Sequence, residues 1–436
     1  MRAVRRVLVL ATLPASIALA VPAALAAAGD LDPGFGHHGI ESIGFAGNVA
    51  GALDIALQPD GRILVSAAID NTPAATQAFG LVRLLANGAP DRSFGRNGAA
   101  FATFTDFINA PSAIALQADG RILVVGNAES ADGTLSEFAI ARFMKNGALD
   151  AHFGSRGKVT TNFVGVQPGG VSNIATSVVV QPDGRIVVAG GASQCADCVH
   201  RTAIARYLGD GSPDPSFGTA GRVDMPLIGS PNALAVLSNG HLLAMTGAQL
   251  AEFDAAGTLV TVSSTTAGAT LVAQRHVNDS TWQPDGRVLL AGVAQGPFGP
   301  HDVDIQCTRF EPLGNRDVPF QRPVFDFVGV STGPSEEAPQ AIATLAGGGF
   351  AVGGISLAPG LASDNFGVAR LNADGSLDAS FGHGGSVTTV IDDRPGLQFS
   401  FVWSLAEQAD GRIVAVGLTG DHEGRTYLAL ARYLGQ

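Results

Sequence analysis

Short apolar runs separated by small polar turns set the rhythm of this chain. In "ATSVVVQPDGRIVVAG" a first run covers Ala175 to Gln181 and a second covers Arg185 to Ala189. Both are rich in β-branched residues and too short for helices, so they predict strands. The intervening "QPDGR" predicts a hairpin. Pro182 presets φ for a type I turn, Asp183 suits the next position, and Gly184 supplies the left-handed residue of a G1 bulge. The pattern recurs at Leu57 ("LQPDGRILVSA"), Leu116 ("LQADGRILVVG"), Trp282 ("WQPDGRVLLAG") and Glu407 ("EQADGRIVAVG"). Degenerate copies start at Leu237 ("LSNGHLLAMTG") and near Leu345 ("LAGGGFAVGG").

A third strand follows the hairpin, as in "FGLVRLL" at Phe79, "FAIARFM" at Phe138 and "LALARYL" at Leu428. A second tight turn such as "NADGS" at Asn372 leads into "LDASFGHGGSVTTV" or a relative of it, whose end predicts a fourth strand. Four short strands per unit, a period of about 60 residues and seven units predict an all-β fold: a seven-bladed β-propeller of four-stranded antiparallel blades. Helix signals are absent, which excludes α-solenoids.

At these residues the chain resembles the bacterial delta-60 repeat family, whose pattern reads "LDxSFGxxGxV…ALQPDGRIxVAG…FALARYxxDGS". The resemblance covers nearly all of the chain beyond the first 28 residues. It implies a β-propeller and no established activity. Units four, five and six depart from the pattern, so blade boundaries are least defined there.

After residue 28 the chain begins with a fourth-type strand and ends with a third-type strand. In propellers with comparable repeats the strand before the hairpin is innermost. By that analogy Ile40 to Phe45 closes the last blade from outside, pairing with Leu428 to Tyr433. A spacing rule points the same way. Arg83, Arg142, Arg206, Arg309 and Arg370 each precede an aspartate by eight residues: Asp91, Asp150, Asp214, Asp317 and Asp378. Arg432 runs out of chain, and Asp32 is its expected partner. Each pair predicts an Arg–carboxylate contact across the turn between third and fourth strands. The role is structural, worth about 0–1 kcal/mol each if exposed. Unit four breaks the rule with Glu252 and Val260, and has Ser263 where the others have a phenylalanine.

In an up-and-down blade the tight turns share one face of the ring and the long, dissimilar connections share the other. Binding residues favour such variable loops. The variable face is rich in acids, among them Asp197, Asp302, Glu337, Asp364, Asp392, Asp393 and Asp421. Solvated loops account for most such acids; a cationic partner or Ca²⁺ is the sharper alternative. In "CADCVH", Cys195 and Cys198 predict a short-range disulfide, with zinc and free thiols as alternatives, while Cys307 packs inside a third strand. No zinc partner cluster and no other cofactor is expected.

Composition narrows the setting. Arg2, Arg5 and Arg6 precede an apolar stretch from Val7 to about Ala20, and "VPAALAAAGD" offers small-residue cleavage sites near Ala26 or Ala28. This layout predicts a secretory signal peptide over residues 1–28 and export to the periplasm or medium. Without its three arginines the remainder carries 23 basic against 38 acidic residues, a net charge of −15. That disfavours nucleic acid and anionic membrane surfaces. No second apolar span follows, and a monomer without a membrane span in its mature form is expected. No nucleophile elbow, zincin motif, Walker loop or dinucleotide fingerprint occurs. The leading expectation is a secreted binding module engaging a protein or glycan on the variable face. The alternatives are a lactonase-like hydrolase with a carboxylate or metal site at the channel mouth, and a structural envelope protein.

Overall fold

The computed structural model describes residues 26–435, apart from 46–47, 72–75, 106, 164–170, 194–199, 232, 247–248, 265–276, 284, 296–302, 312–316, 322, 328–336, 358–363, 392–398 and 422. Twenty-eight strands form seven four-stranded antiparallel sheets, one per blade of a propeller. Blade 1 runs outward through Val49–Leu57, Ile63–Asn71, Thr76–Leu84 and Ala99–Ala102. The first strands of the next six blades are Asn109–Leu116, Ser172–Val180, Ala233–Val236, Val277–Trp282, Ala338–Thr344 and Phe399–Glu407.

The hairpin turns follow from their sequence. In blade 3, Gln181 N–H donates to Arg185 O (2.8 Å) and Gly184 N–H to Gln181 O (2.8 Å). Gly184 has φ of +85°, a conformation that costs any side chain but none for glycine.

The core is divided among the blade junctions. Each second strand is buried on both faces, which is why it reads as a continuous apolar run. Alternate residues serve different neighbours. Ile186 and Val188 pack toward blade 2, whereas Val187 and Ala189 pack toward blade 4. This is the period of two expected of a strand. Among the described residues, the junction between blades 4 and 5 is packed by Met245, Leu250, Leu290 and Phe310.

The last blade is closed by the N-terminal strand as the repeat phasing predicts. Ile40–Ile43 pairs antiparallel with Thr426–Tyr433, from Ile40 opposite Ala431 to Ile43 opposite Leu428. The strand stops at Ile43, two residues short of the expected end. The two chain ends also rebuild the turn that blades 1, 2, 3, 4 and 6 make covalently. In blade 1, Leu85 N–H donates to Ala89 O and Gly88 N–H to Leu85 O. In blade 7, Leu434 N–H donates to Asp30 O (2.9 Å) and Gly29 N–H to Leu434 O (2.8 Å). Gly29 has φ of +89°, matching +88° at Gly88.

Candidate functional site

On the tight-turn face, six arginines occupy one repeated setting. The arginine Nε lies 2.9 Å from its aspartate in Arg83–Asp91 and Arg142–Asp150, 2.8 Å in Arg206–Asp214 and Arg370–Asp378, and 2.6 Å in Arg309–Asp317. Arg432 Nη2 lies 2.8 Å from Asp32, across the closure. Each guanidinium stacks over the phenylalanine of the outer turn, 4.3 Å from the ring centre at Phe94 and Phe153 and 4.9 Å at Phe381. Its Nη1 donates to a carbonyl of the next blade: Arg83 to Lys145, Arg206 to Ala255, Arg370 to Gly435 and Arg432 to Ala86. The residue at +8 therefore marks a staple between blades rather than a turn ornament. Five of the six pairs are buried at both partners; only Arg370–Asp378 is partly exposed.

The hairpin arginine adds a second cation. Arg62, Arg185 and Arg412 reach Asp91, Asp214 and Asp32 at 3.1, 3.0 and 2.9 Å. Burial alone would raise the Asp214 carboxyl, but hydrogen bonds from Ser216 and the charge of Arg206 outweigh it and hold the carboxyl below its usual range. Blade 6 has Gly349 at the hairpin position. Blade 4 exchanges the charges instead: His241 Nδ1 lies 2.8 Å from Glu252 Oε1. The substitution of Glu252 for arginine is thus paired with His241 for the hairpin arginine.

Two aspartates stand on inner strands. Asp54 in blade 1 accepts N–H bonds from Ile55 (2.8 Å) and from Ile114 of blade 2 (2.9 Å), and the Ser404 hydroxyl of blade 7 donates to it at 3.1 Å. Asp279 in blade 5 accepts from Ser280 (2.8 Å) and from Ile342 of blade 6 (2.9 Å). Each ties its blade to the following one. Burial pushes Asp54 up to about 6 and Asp279 up to about 7, the latter helped by the charge of Asp54. The sequence signal was a charged residue inside an apolar inner strand ("GALDIAL").

The variable face holds a cavity of about 540 Å³ where blades 6, 7 and 1 meet. Phe399 and Phe401 line it, with Asp70, Asp364, Asn48 and Thr426. The strand Phe399–Glu407 puts aromatic residues at its first, third and fifth positions. Phe399 and Phe401 stack with ring centres 5.7 Å apart, and Trp403 meets Phe401 edge-on at 5.3 Å. All three pack on the core between blades 7 and 1, so the platform is rigid.

Of the described loop acids, Asp70 and Asp364 share the cavity. Asp421 is held by Arg425 at 2.8 Å and by the Tyr427 hydroxyl at 3.1 Å. Asp364 lines the cavity, and its carbonyl accepts from the Ser400 amide. Glu337 is not displayed at all: it is fully buried, accepting from Phe327 N–H and from the Ser356 hydroxyl. Asp197, Asp302, Asp392 and Asp393, and the expected Cys195–Cys198 disulfide, lie outside the described residues. Cys307 is a buried free thiol. Among the described residues no three His, Cys, Asp or Glu side chains come together as metal ligands.

Five stretches of the chain, residues 58–94, 117–153, 181–217, 347–381 and 408–435, match a β-propeller domain of unknown function, DUF5122. They fall in blades 1, 2, 3, 6 and 7. Among solved structures the chain is similar to a protein of unknown function from Bacteroides caccae, at 13% identity and a TM-score of 0.34 over 78% of this chain and 93% of that one. It is similar to a protein of unknown function from Dyadobacter fermentans, at 13% identity and 0.39 over 91% and 100%. The β-propeller domain of the Trilobed protease from Pyrococcus furiosus gives 8% identity and 0.42 over 89% and 95%. No curated protein matches the chain.

Proposed function

We propose that this propeller is an exported binding module that holds a small polar ligand with one apolar face, of the saccharide class, in the cavity between blades 6, 7 and 1. The aromatic platform of Phe399 and Phe401 carries the reading. A cavity of about 540 Å³ is in the range of about 300–1,000 Å³ typical of small-molecule sites. Stacked rings offer an apolar floor, and Asn48, Asp70 and Asp364 bring polar groups suited to hydroxyls. Export is supported by the basic and apolar layout of residues 2–20. The delta-60 resemblance supports the repeat identity and adds no activity. The hydrolase alternative calls for further catalytic groups beside Asp70 and Asp364, whereas the rings of Phe399 and Phe401 in the same cavity favour binding.

Calorimetric titration with a panel of neutral mono- and oligosaccharides tests the proposal. Saturable binding that weakens at least tenfold in Phe401→Ala, measured at a temperature where the variant remains fully folded, is expected. Binding that Phe401→Ala leaves unchanged, or no saccharide binding at all, overturns it.

A further inference from the structure

We infer that the leader is cut between Ala26 and Ala27, and that Ala27–Ala28 belong to the folded ring. This rests on the export reading above. The sequence offers small residues at two registers, Ala24-Leu25-Ala26 and Ala26-Ala27-Ala28. They differ by two residues, and the structure assigns those two to the fold.

In five blades a carbonyl of the third-to-fourth turn accepts an N–H from the preceding blade: Asn87 from Gly36, Asn146 from Gly95, Asp210 from Gly154, Ala256 from Gly218 and Asp374 from Gln321. Blade 7 has no covalent turn there. Its acceptor is Ala28 O, 2.8 Å from Gly382 N. Ala28 is also 8% exposed and packs in the core between blades 6 and 7. A cut after Ala28 removes both the acceptor and the buried methyl, and leaves Gly382 N–H unpaired. A cut after Ala26 keeps both.

The earlier cut also yields a better terminus. Ala27 N already lies 2.6 Å from Asp30 Oδ2. Hydrolysis adds water across the Ala26–Ala27 peptide bond, placing a carboxylate on Ala26 and an amine on Ala27. That amine, protonated near neutrality, stands beside the Asp30 carboxylate. A like terminus at Gly29 would instead set a charged amine where Gly29 N–H now donates to Leu434 O.

The test is intact mass and N-terminal sequencing of the protein recovered from a bacterial host that exports the full chain. Ala27 as first residue is the expected result. Gly29 as first residue, or a start upstream of Ala27, overturns the assignment while leaving export intact. An uncut chain beginning at Met1 overturns both. The structural half is tested separately. Chains beginning at Ala27 and at Gly29 are each released from an N-terminal carrier by a site-specific protease and melted side by side. The Gly29 chain is expected to melt several degrees lower; equal melting temperatures overturn the role given to Ala28.

Discussion

Replacing Glu337 with glutamine isolates the effect of one buried carboxyl. Glu337 is fully buried. It accepts one backbone N–H, from Phe327, and one hydroxyl, from Ser356, which in turn lies 2.8 Å from Thr388 Oγ1. Burial, with lesser help from the charges of Asp326 and Asp304, pushes its carboxyl up to about 8 from 4.5. The folded state therefore keeps its proton over a range where the unfolded chain has lost it. Linkage then fixes the sign: stability falls as pH rises from 4.5 to about 8. At about 1.4 kcal/mol per pH unit the loss is about 3 kcal/mol at pH 7 and approaches about 5 kcal/mol above pH 8. Glutamine keeps a carbonyl acceptor for Phe327 N–H, and its amide can donate to the Ser356 oxygen. Asparagine already occupies the equivalent place in two blades. Asn109 Oδ1 accepts from Phe104 N–H at 2.8 Å, and Asn173 Nδ2 donates to Ser136 O at 2.8 Å. Glu337→Gln should match the wild type near pH 4.5 and melt higher above pH 7, with the gap widening up to pH 8. Differential scanning fluorimetry or urea titration from pH 4 to 9 reads this. Parallel wild-type and variant profiles, or a variant less stable at pH 8, would refute the argument.

Asp279→Asn should remove part of the same slope. Its carboxyl is raised from 3.8 to about 7, so stability contributed below pH 4 is lost through pH 7, and the variant's melting profile between those limits should be flatter. A profile as steep as the wild type would show that Asp279 ionises freely in the fold. Arg142→Met leaves the buried Asp150 with only the more distant Arg121, 3.3 Å away, and should cost about 3 kcal/mol, the scale for a broken buried pair. Arg370→Met, where Asp378 keeps 24% of its side-chain surface exposed, should cost less than half of that in urea titration.

What was legible in the sequence is what the repeat restates locally. The hairpin is written within five residues, and its glycine turns up at φ between +80° and +85° in blades 1, 2 and 3. The arginine and aspartate of a staple are eight residues apart in every complete copy, so recurrence alone singles them out. Their burial was not legible, because it comes from the adjacent blade. The carbonyls that receive Arg83 and Arg206 are 62 and 49 residues away. Glu337 reads as a loop acid because its neighbours in sequence are polar. The readable clue was its alignment with Asn109 and Asn173, all three placed five residues before the inner-strand position of Ile342, Ile114 and Val178. The aromatic triplet has no counterpart in the other copies' sequences. "FSFVWS" is particular to blade 7, and a feature that does not recur cannot be found by comparing copies.

The same logic locates the ring's least supported junction. A staple runs from each blade into the next through one arginine, one aspartate and one phenylalanine. Blade 4 has none of the three in place: Glu252, Val260 and Ser263 stand there. Its His241–Glu252 contact closes the charges within the blade, and no arginine stands at the staple position of this unit. The incoming staple is intact, since Arg206 of blade 3 still bonds Ala255. Only the outgoing one is missing, and the described part of the junction it should serve is packed by Met245, Leu250, Leu290 and Phe310. Without the staple, this interface lacks the ion pair and the guanidinium–ring contact that the other six arginines supply. A closed ring tolerates one weak junction as long as the others hold. The covalently broken blade 7 therefore has to be well fastened, and it carries the full set: strand pairing, the Arg432–Asp32 pair over Phe35, and a turn rebuilt from both chain ends.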